Sequence, residues 1–376
     1  MSERPARFQV GILGAGVVGC SIAYHLARRK IATVVLDREG AGGGASAADS
    51  GAVWTHPFTR PACVRLALRS AARYPRLQEA IGPIEYLRTG GLAPAFTEEN
   101  AQAGIALAER QQAAGLDVRW LPRDEVLRRE PALSPAVLGA TYSPHDGSVN
   151  PFLLVRRLVS AARRYGAEFL LHWGHVAIDP GPRGFLLRST RGEVEVRRLV
   201  VAAGPWTHEA GRGLGVPIPL RQVHEPVLVS EALPPLLRHT IVGARQQITG
   251  EILLGCSPDG PWTDPGISPD AIRRVVRDGV RLVPALRSAR MIRAFSGIQA
   301  VPMDESPILG GVAEVEGLYI AATHRGIALA PLIGDAMAAL IDTGRVPDDI
   351  RDYGLERFHP GTLRGAESRQ DSPKNL

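Results

Sequence analysis

Residues 7–19 read Arg7-Phe-Gln-Val-Gly-Ile-Leu-Gly-Ala-Gly-Val-Val-Gly19, an apolar run that enters a glycine turn. The run through Leu13 has the make-up of a buried strand, and Gly14, Gly16 and Gly19 fill a G-x-G-x-x-G pattern. Gly14 suits the tight turn, Gly16 lets backbone N–H groups approach a pyrophosphate, and Gly19 lets the next helix pack close to the strand. That helix turns the positive end of its dipole toward the phosphates. Working outward, the pattern predicts a helix over Cys20 to Arg29, a second strand over Ala32 to Leu36, and then the acid Asp37. Asp37 stands at the spacing where a ribose hydroxyl is held. Strand, turn, helix, strand and acid in this order point to a bound dinucleotide. They do not say which one.

The chain's 376 residues suffice for two domains, and 45% hydrophobic with 22% charged residues is the balance of a globular protein with a substantial core. The net charge of +6 rests on arginine, since Lys30 and Lys374 are the two lysines. The arginines form no block with interleaved aromatics, which argues against nucleic-acid binding. Cys20, Cys63 and Cys256 are far apart and in no C-x-x-C arrangement. A disulfide scaffold or structural zinc site is therefore not expected, and a reducing cytoplasm is. The first strand begins within about ten residues of the start, leaving no room for a signal peptide, and no uncharged run reaches the roughly 20 residues of a membrane span.

Farther along, Pro61 to Ala80 reads as one helix, Glu85 to Phe96 as a strand pair around Gly90-Gly91, and Thr97 as the cap of a helix running to about Ala114. Pro151 opens a helix that ends near Tyr165-Gly166, and short strands follow between Glu168 and Val196 with a turn at Asp179-Pro-Gly-Pro. Arg198 to Ala203 is a second buried strand ending in a glycine turn. Pro217 to Ser230 and Glu251 to Gly255 read as antiparallel strands, Ser268 to Leu282 as a helix, and Met291 to Ala300 as a strand. The strand Gly317 to Ala322 enters the turn His324-Arg-Gly, and a long helix runs from Gly326 to Ile341. From about Thr362 the polar tail reads as disordered.

Three glycine-containing segments carry the chemistry. The loop Gly42-Gly-Gly-Ala-Ser-Ala-Ala-Asp-Ser-Gly51 follows the ribose acid, and its small residues can close around a planar ligand, with Ser46 offering a hydroxyl to phosphate. Val200-Val-Ala-Ala-Gly-Pro-Trp and Ala321-Ala-Thr-His-Arg-Gly-Ile-Ala are apolar strands broken at glycine. Open α/β sheets bind ligands at such carboxyl ends. His324, in the last of these turns, and His56, after Trp54-Thr55, are candidates for a substrate site.

Seven motifs in order resemble the D-amino acid oxidase/glycine oxidase/sarcosine oxidase family of flavoproteins. They are the first glycine turn, Asp37-Arg38, Gly44-Ala-Ser-x-x-x-Ser-Gly51, Asp146-Gly-Ser-Val-Asn-Pro, Ala203-Gly-Pro-Trp, Pro302-Met-Asp-Glu-Ser-Pro-Ile-Leu-Gly, and His324-Arg-Gly-x-x-x-Ala-Pro. The stretch Arg245-Gln-Gln-x-x-Gly-Glu-Ile-Leu-Leu-Gly is most similar to the branch that holds the β-subunits of opine oxidase and D-hydroxyproline dehydrogenase.

The resemblance implies an α/β fold: a Rossmann-like FAD-binding domain of the glutathione-reductase type, over 1–51, 141–214 and 291–345. It would be interleaved with an α+β substrate domain on an antiparallel sheet, over 52–140 and 215–290. It implies non-covalent FAD, its ADP half on Gly14, Ala15, Gly16, Val17, Val18, Gly19, Asp37 and Arg38. Gly44, Ala45, Ser46, Ser50 and Gly51 would line the stretch from pyrophosphate to flavin. Val176, Ala203, Gly204, Trp206, Gly297, Arg325, Gly326, Ile327 and Ala328 would complete the site, with a helix N-terminus beside the ring's pyrimidine edge. The implied chemistry is oxidation of the C–N bond of a small amine or amino acid by hydride transfer to flavin N5, with no metal and no catalytic triad. The substrate would be a D-amino acid, glycine or sarcosine, a proline derivative or an opine.

Three departures bear on the substrate. Gln299 occupies the place of an arginine that clamps the carboxylate in family members, and a glutamine cannot form the bidentate charged pair. Arg325, Arg293 or Arg245 could replace it, and Trp54 could wall the pocket. The stretch Ala294-Phe-Ser-Gly-Ile-Gln lacks the cysteine through which some members attach FAD. Neither lysine is placed to promote reaction with oxygen, which leans toward a dehydrogenase. Three alternatives stay open: an NAD-dependent dehydrogenase, which gives no role to the second glycine turn; an FAD-dependent 2-hydroxy acid dehydrogenase; and a flavin-bearing member of a complex of several subunits, or a homo-oligomer.

Overall fold

A computed structural model describes residues 5–58, 60–255 and 267–358. Cys256 and the tail from Thr362 lie outside the described residues. The elements that build the site are, in chain order, β1 (Ala6–Leu13), α1 (Val17–Arg28), β2 (Thr33–Leu36), β3 (Gly192–Val201), β4 (Leu220–Ala232), β5 (Ala244–Gln246), β6 (Glu251–Leu254), β7 (Met291–Pro302), β8 (Leu318–Ala322) and α2 (Gly326–Thr343).

The opening residues form the expected unit. Val10, Ile12, Val34, Val35 and Leu36 are fully buried, as continuous apolar runs require in strands covered on both faces. β1 pairs in parallel with β2 on one side and β3 on the other, and β3 pairs in parallel with β8. The first sheet therefore runs Ile308–Gly311, β8, β3, β1, β2, Glu168–Leu170, with Ala177–Gly181 and Gly184–Ser189 added alongside β3. α1 and α2 pack face to face over it, and Ser21 Oγ on α1 donates to the Ala330 carbonyl of α2 at 2.8 Å. α2 is long and apolar enough to cross a membrane, yet most of it is buried inside the protein.

The second sheet runs β7, β4, β6, β5, Thr240–Ile241, Gly91–Ala95, Gly139–Ser143, Arg119–Pro122, and all its pairings but one are antiparallel. β4 and β7 pair from Leu220 opposite Pro302 to Ser230 opposite Met291, so residues 221, 223, 225 and 227 share a face with 299 and 301. Its core gathers Leu92, Leu121, Val137, Leu228, Ile252 and Leu254.

Several expectations are corrected. The helix over 61–80 is two, Pro61–Ala71 and Tyr74–Ile81. Pro75 has no N–H to continue the ladder and restarts the helix as one of its first residues. The strand pair over 85–96 is a single strand, Gly91–Ala95, because the two halves take different partners. Leu87 exchanges backbone hydrogen bonds with Ser148, while Gly91–Ala95 pairs with Gly139–Ser143. The first helix begins at Val17, three residues earlier than read. Asp179-Pro-Gly lies in the strand Ala177–Gly181, whose turn comes just after it. β7, expected in a segment of the FAD-binding domain, is hydrogen-bonded along its length to the second sheet. Thr97, Asn150 and Ser268 each cap a helix as their sequence contexts suggest, accepting from Asn100, Leu153 and Ala271 N–H.

Candidate active site

Two cavities, of about 420 and 450 Å³, adjoin at the carboxyl ends of the first sheet, and Asp49, Gln299, His324 and Arg325 line both. The first crosses the ends of four neighbouring strands, from Thr323 after β8, past Ala202 after β3 and Gly14 after β1, to Asp37 after β2. At about 4.8 Å per strand that path is roughly 14 Å.

Its walls are set by backbone. Gly14 has a φ of +108°, and a Cβ there would lie 2.4 Å from the Ala202 carbonyl oxygen; at Gly19 it would lie 2.0 Å from the Gly14 carbonyl oxygen. No other residue fits either place. Asp37 Oδ2 accepts from Ala15 N–H at 2.7 Å and Oδ1 from Glu39 N–H at 2.9 Å, so the carboxylate is locked by main chain. Ser46 Oγ accepts from Val17 N–H at 3.0 Å. The Val17 N–H at the start of α1 is thus engaged by Ser46. The Arg38 guanidinium stacks 3.7 Å from the Trp206 ring centroid. At the far end Arg325, in a left-handed backbone conformation, is the N-cap of α2, and its guanidinium lies over the Phe58 ring at 4.6 Å.

The second cavity has the β4–β7 face as one wall, with Arg221, Val223, Glu225, Val227, Gln299 and Val301. Trp54 and Phe58 stand elsewhere on the lining, and Asp49, Arg245 and Arg325 supply charge. Arg221 is paired to Glu305 at 3.2 Å, and Gln299 Nε2 donates to Glu225 Oε2. Arg245 is different. It is 6% exposed, and its Nε and Nη2 have no hydrogen-bond partner among the described residues. Burial pulls its pKa down to about 10, against the opposing pull of Asp49 and Glu85, so it stays cationic at neutral pH. Burial pushes Asp49 up to about 6, although the Gly51 N–H at 2.6 Å and the charges of Arg245 and Arg325 pull it down. Burial, with Arg325 and Arg221 nearby, holds His324 down to about 3, so its imidazole is neutral.

The sequence candidates divide accordingly. Gly14, Gly16, Val17, Val18, Asp37, Arg38, Gly44, Ala45, Ser46, Val176, Ala203, Gly204, Trp206, Gly326 and Ile327 line the first cavity. Ser50, Trp54 and Arg245 line the second. Ala15, Gly19, Gly51, Gly297 and Ala328 line neither. They act behind the wall: a Cβ on Gly297 would meet that of Ala48 at 2.6 Å, so this glycine lets β7 pass close to the loop. His56 is corrected as a substrate-site residue. Its ring is fully buried, with Nδ1 against Asp146 Oδ2 and Nε2 3.0 Å from Thr141 Oγ1, and it reaches neither cavity. Arg293 lies over Phe295 on the exposed part of β7, outside both linings.

Asp49, Glu225 and Arg221 were missed. Asp49 carried a signal, as the one charged residue in a loop of glycine, alanine and serine. Glu225 and Arg221 carried none, since only the β4–β7 register brings them to Gln299.

The family description FAD dependent oxidoreductase (DAO) matches residues 9–340. Glycine oxidase of Geobacillus kaustophilus is 29% identical over 366 residues, which cover 93% of this chain and 97% of that protein. An opine oxidase subunit from Agrobacterium tumefaciens is 28% identical over 361 residues, 93% of this chain and 97% of that one. The crystal structure of the Geobacillus kaustophilus glycine oxidase superposes with a TM-score of 0.88 at 30% identity, covering 94% of this chain and 99% of that one.

Proposed function

We propose that this chain, which belongs to the DAO family of FAD-dependent oxidoreductases, oxidises the C–N bond of a small amino or imino acid whose carboxylate Arg245 holds in the second cavity. The observation that carries the reading is the buried Arg245 guanidinium, whose Nε and Nη2 have no hydrogen-bond partner among the described residues. A cation taken out of water and left with unfilled hydrogen-bond donors on a cavity wall is stabilised by a carboxylate arriving there.

The first cavity fits FAD: its length across four strand ends, the glycine cradle at Gly14, the locked Asp37 and the helix N-terminus at Gly326 suit ribose, pyrophosphate and ring in turn. When bound, FAD supplies the hydride acceptor. β7 has no cysteine, so the attachment is non-covalent. The protein's own part is to position the substrate, exclude water and keep its nitrogen neutral. Trp54, Phe58, Val223, Val227 and Leu253 form apolar surface around the substrate, and neutral His324 adds no charge at the junction. Gln299, engaged with Glu225, is a poor substitute for a clamping arginine, which leaves that task to Arg245. A volume of about 450 Å³ exceeds what glycine needs and favours a proline derivative, an opine or another amino acid with a side chain.

Cys20 and Cys63 are unpaired thiols, which supports placement in the cytoplasm. The likeness to a protein named as a subunit supports a second reading, in which this chain works with a partner. Anaerobic mixing of the purified yellow protein with glycine, sarcosine, D- and L-proline, D-alanine, an opine and lactate tests the main reading. Bleaching by an amino acid is expected. Bleaching by lactate alone would replace it with 2-hydroxy acid oxidation, and a flavin left unbleached by the whole panel while another protein co-purifies would favour the subunit reading.

A further inference from the structure

We propose that Asp49 takes the ammonium proton of the amino-acid substrate, leaving the nitrogen neutral as its bond to carbon is oxidised; this rests on Arg245 holding the carboxylate. An ammonium nitrogen has no lone pair with which to form the C=N bond as hydride departs, so the proton must leave first. In that step an N–H bond of the substrate breaks, an O–H bond forms on the Asp49 carboxylate, and no electrons change hands. FAD, when bound, would supply the acceptor for the hydride.

Geometry places the group. Asp49 lines both cavities, so it stands where substrate and cofactor meet. It also flanks the same residue as Arg245. Asp49 Oδ1 accepts from Gly51 N–H at 2.6 Å, and Arg245 Nη2 lies 3.1 Å from where a Gly51 Cβ would sit. The carboxylate and nitrogen of an α-amino acid hang on one carbon. A cation and an anion that both approach one glycine match those two ends.

The groups facing Asp49 are Arg245 on β5, Arg325 at the start of α2, and Tyr74, whose hydroxyl donates to the Ile327 carbonyl. His324 and Gln299 share both its cavities, and Arg221 and Glu225 stand on β4 in the second. Among these, Asp49 is raised toward the range where a base works at neutral pH, while His324 is held too low to accept a proton there. Asp49 is ionised above about 6, so proton acceptance is present above that value and lost as pH falls through it.

The test is anaerobic stopped-flow bleaching of the flavin-loaded enzyme from pH 5 to 10, with the panel amino acid that bleaches it fastest, in wild type, Asp49→Asn and Asp49→Glu. Wild type is expected to lose rate through an acid limb between pH 5 and 8. Asp49→Asn should be slower at pH 7 by about 10²-fold or more, with a rate that climbs tenfold per pH unit as solution supplies the neutral amine, and Asp49→Glu should restore most of the loss. An Asp49→Asn profile that superimposes on wild type overturns the proposal. So does a wild-type profile with no acid limb in that window, whatever the variants do. Titration with 2-furoate, a carboxylate without an amine, separates the two claims. It should perturb the flavin spectrum of wild type and Asp49→Asn alike, but not that of Arg245→Met. Absence of 2-furoate binding to wild type removes the anchor itself, and the base with it.

Discussion

Along the first cavity the polar groups are held by main chain: Asp37 by the Ala15 and Glu39 N–H groups, Ser46 by the Val17 N–H. Along the second they are side chains brought from separate segments. Arg245 has guanidinium atoms without a hydrogen-bond partner among the described residues, and Asp49 has its pKa pushed up by burial. One region is complete before its ligand arrives. The other carries an electrostatic cost that a ligand relieves. A cofactor common to a whole family needs a fixed cradle, whereas a substrate pocket can hold its charges in suspense until the right molecule neutralises them.

That contrast can be broken from either side. The largest effect belongs to Gly14→Val, which forces a side chain against the Ala202 carbonyl at a positive φ. Flavin content, read as the ratio of 450 to 280 nm absorbance, should fall at least tenfold, and normal flavin content would show that the cradle is not where FAD lies. Arg245→Met comes next. Flavin content should stay near wild type while KM for the amino acid rises by about 10²-fold, the worth of a charged hydrogen-bonded pair of about 1.5–3 kcal/mol. An unchanged KM with lost flavin would reverse the assignment of the two regions. Asp37→Ala should weaken FAD by about tenfold without moving the substrate KM at saturating FAD, measured by fluorescence titration of the apoprotein. A further effect, read in stability rather than in binding, concerns His324. Its folded pKa of about 3 lies below the unfolded value of 6.5, so the unfolded chain binds the proton first. Stability is therefore full above pH 6.5 and drains as pH falls toward 3. His324→Gln should flatten part of the decline in melting temperature between pH 6.5 and 4.

The same contrast explains what could be read from the chain beforehand. A cradle made of backbone demands glycine at fixed spacing, and an acid after the second strand, so Gly14, Gly16, Gly19 and Asp37 announce it in order. Gly326 after a buried strand announces the other end. A pocket made of side chains leaves no such spacing. Arg245 could be named only as one of several arginines, and its burial is what separates it from the exposed Arg293. His56 looked like a ligand beside Trp54, yet strand pairing of Ala52–Val53 with Gly147–Ser148 turns it inward to Asp146. Glu225 and Gln299 are 74 residues apart and meet only because β4 and β7 share a face.

Arg325 occupies a backbone conformation, φ 58° and ψ 44°, that suits glycine, and an arginine held there strains the chain by about 1–2 kcal/mol. The residue easiest on the backbone, glycine, would remove the side chain that covers Phe58 and borders both cavities. Stabilising this protein by consensus turn chemistry would therefore work against it at this position. An easier backbone at this position comes only with the loss of a cation from the place where the two cavities meet.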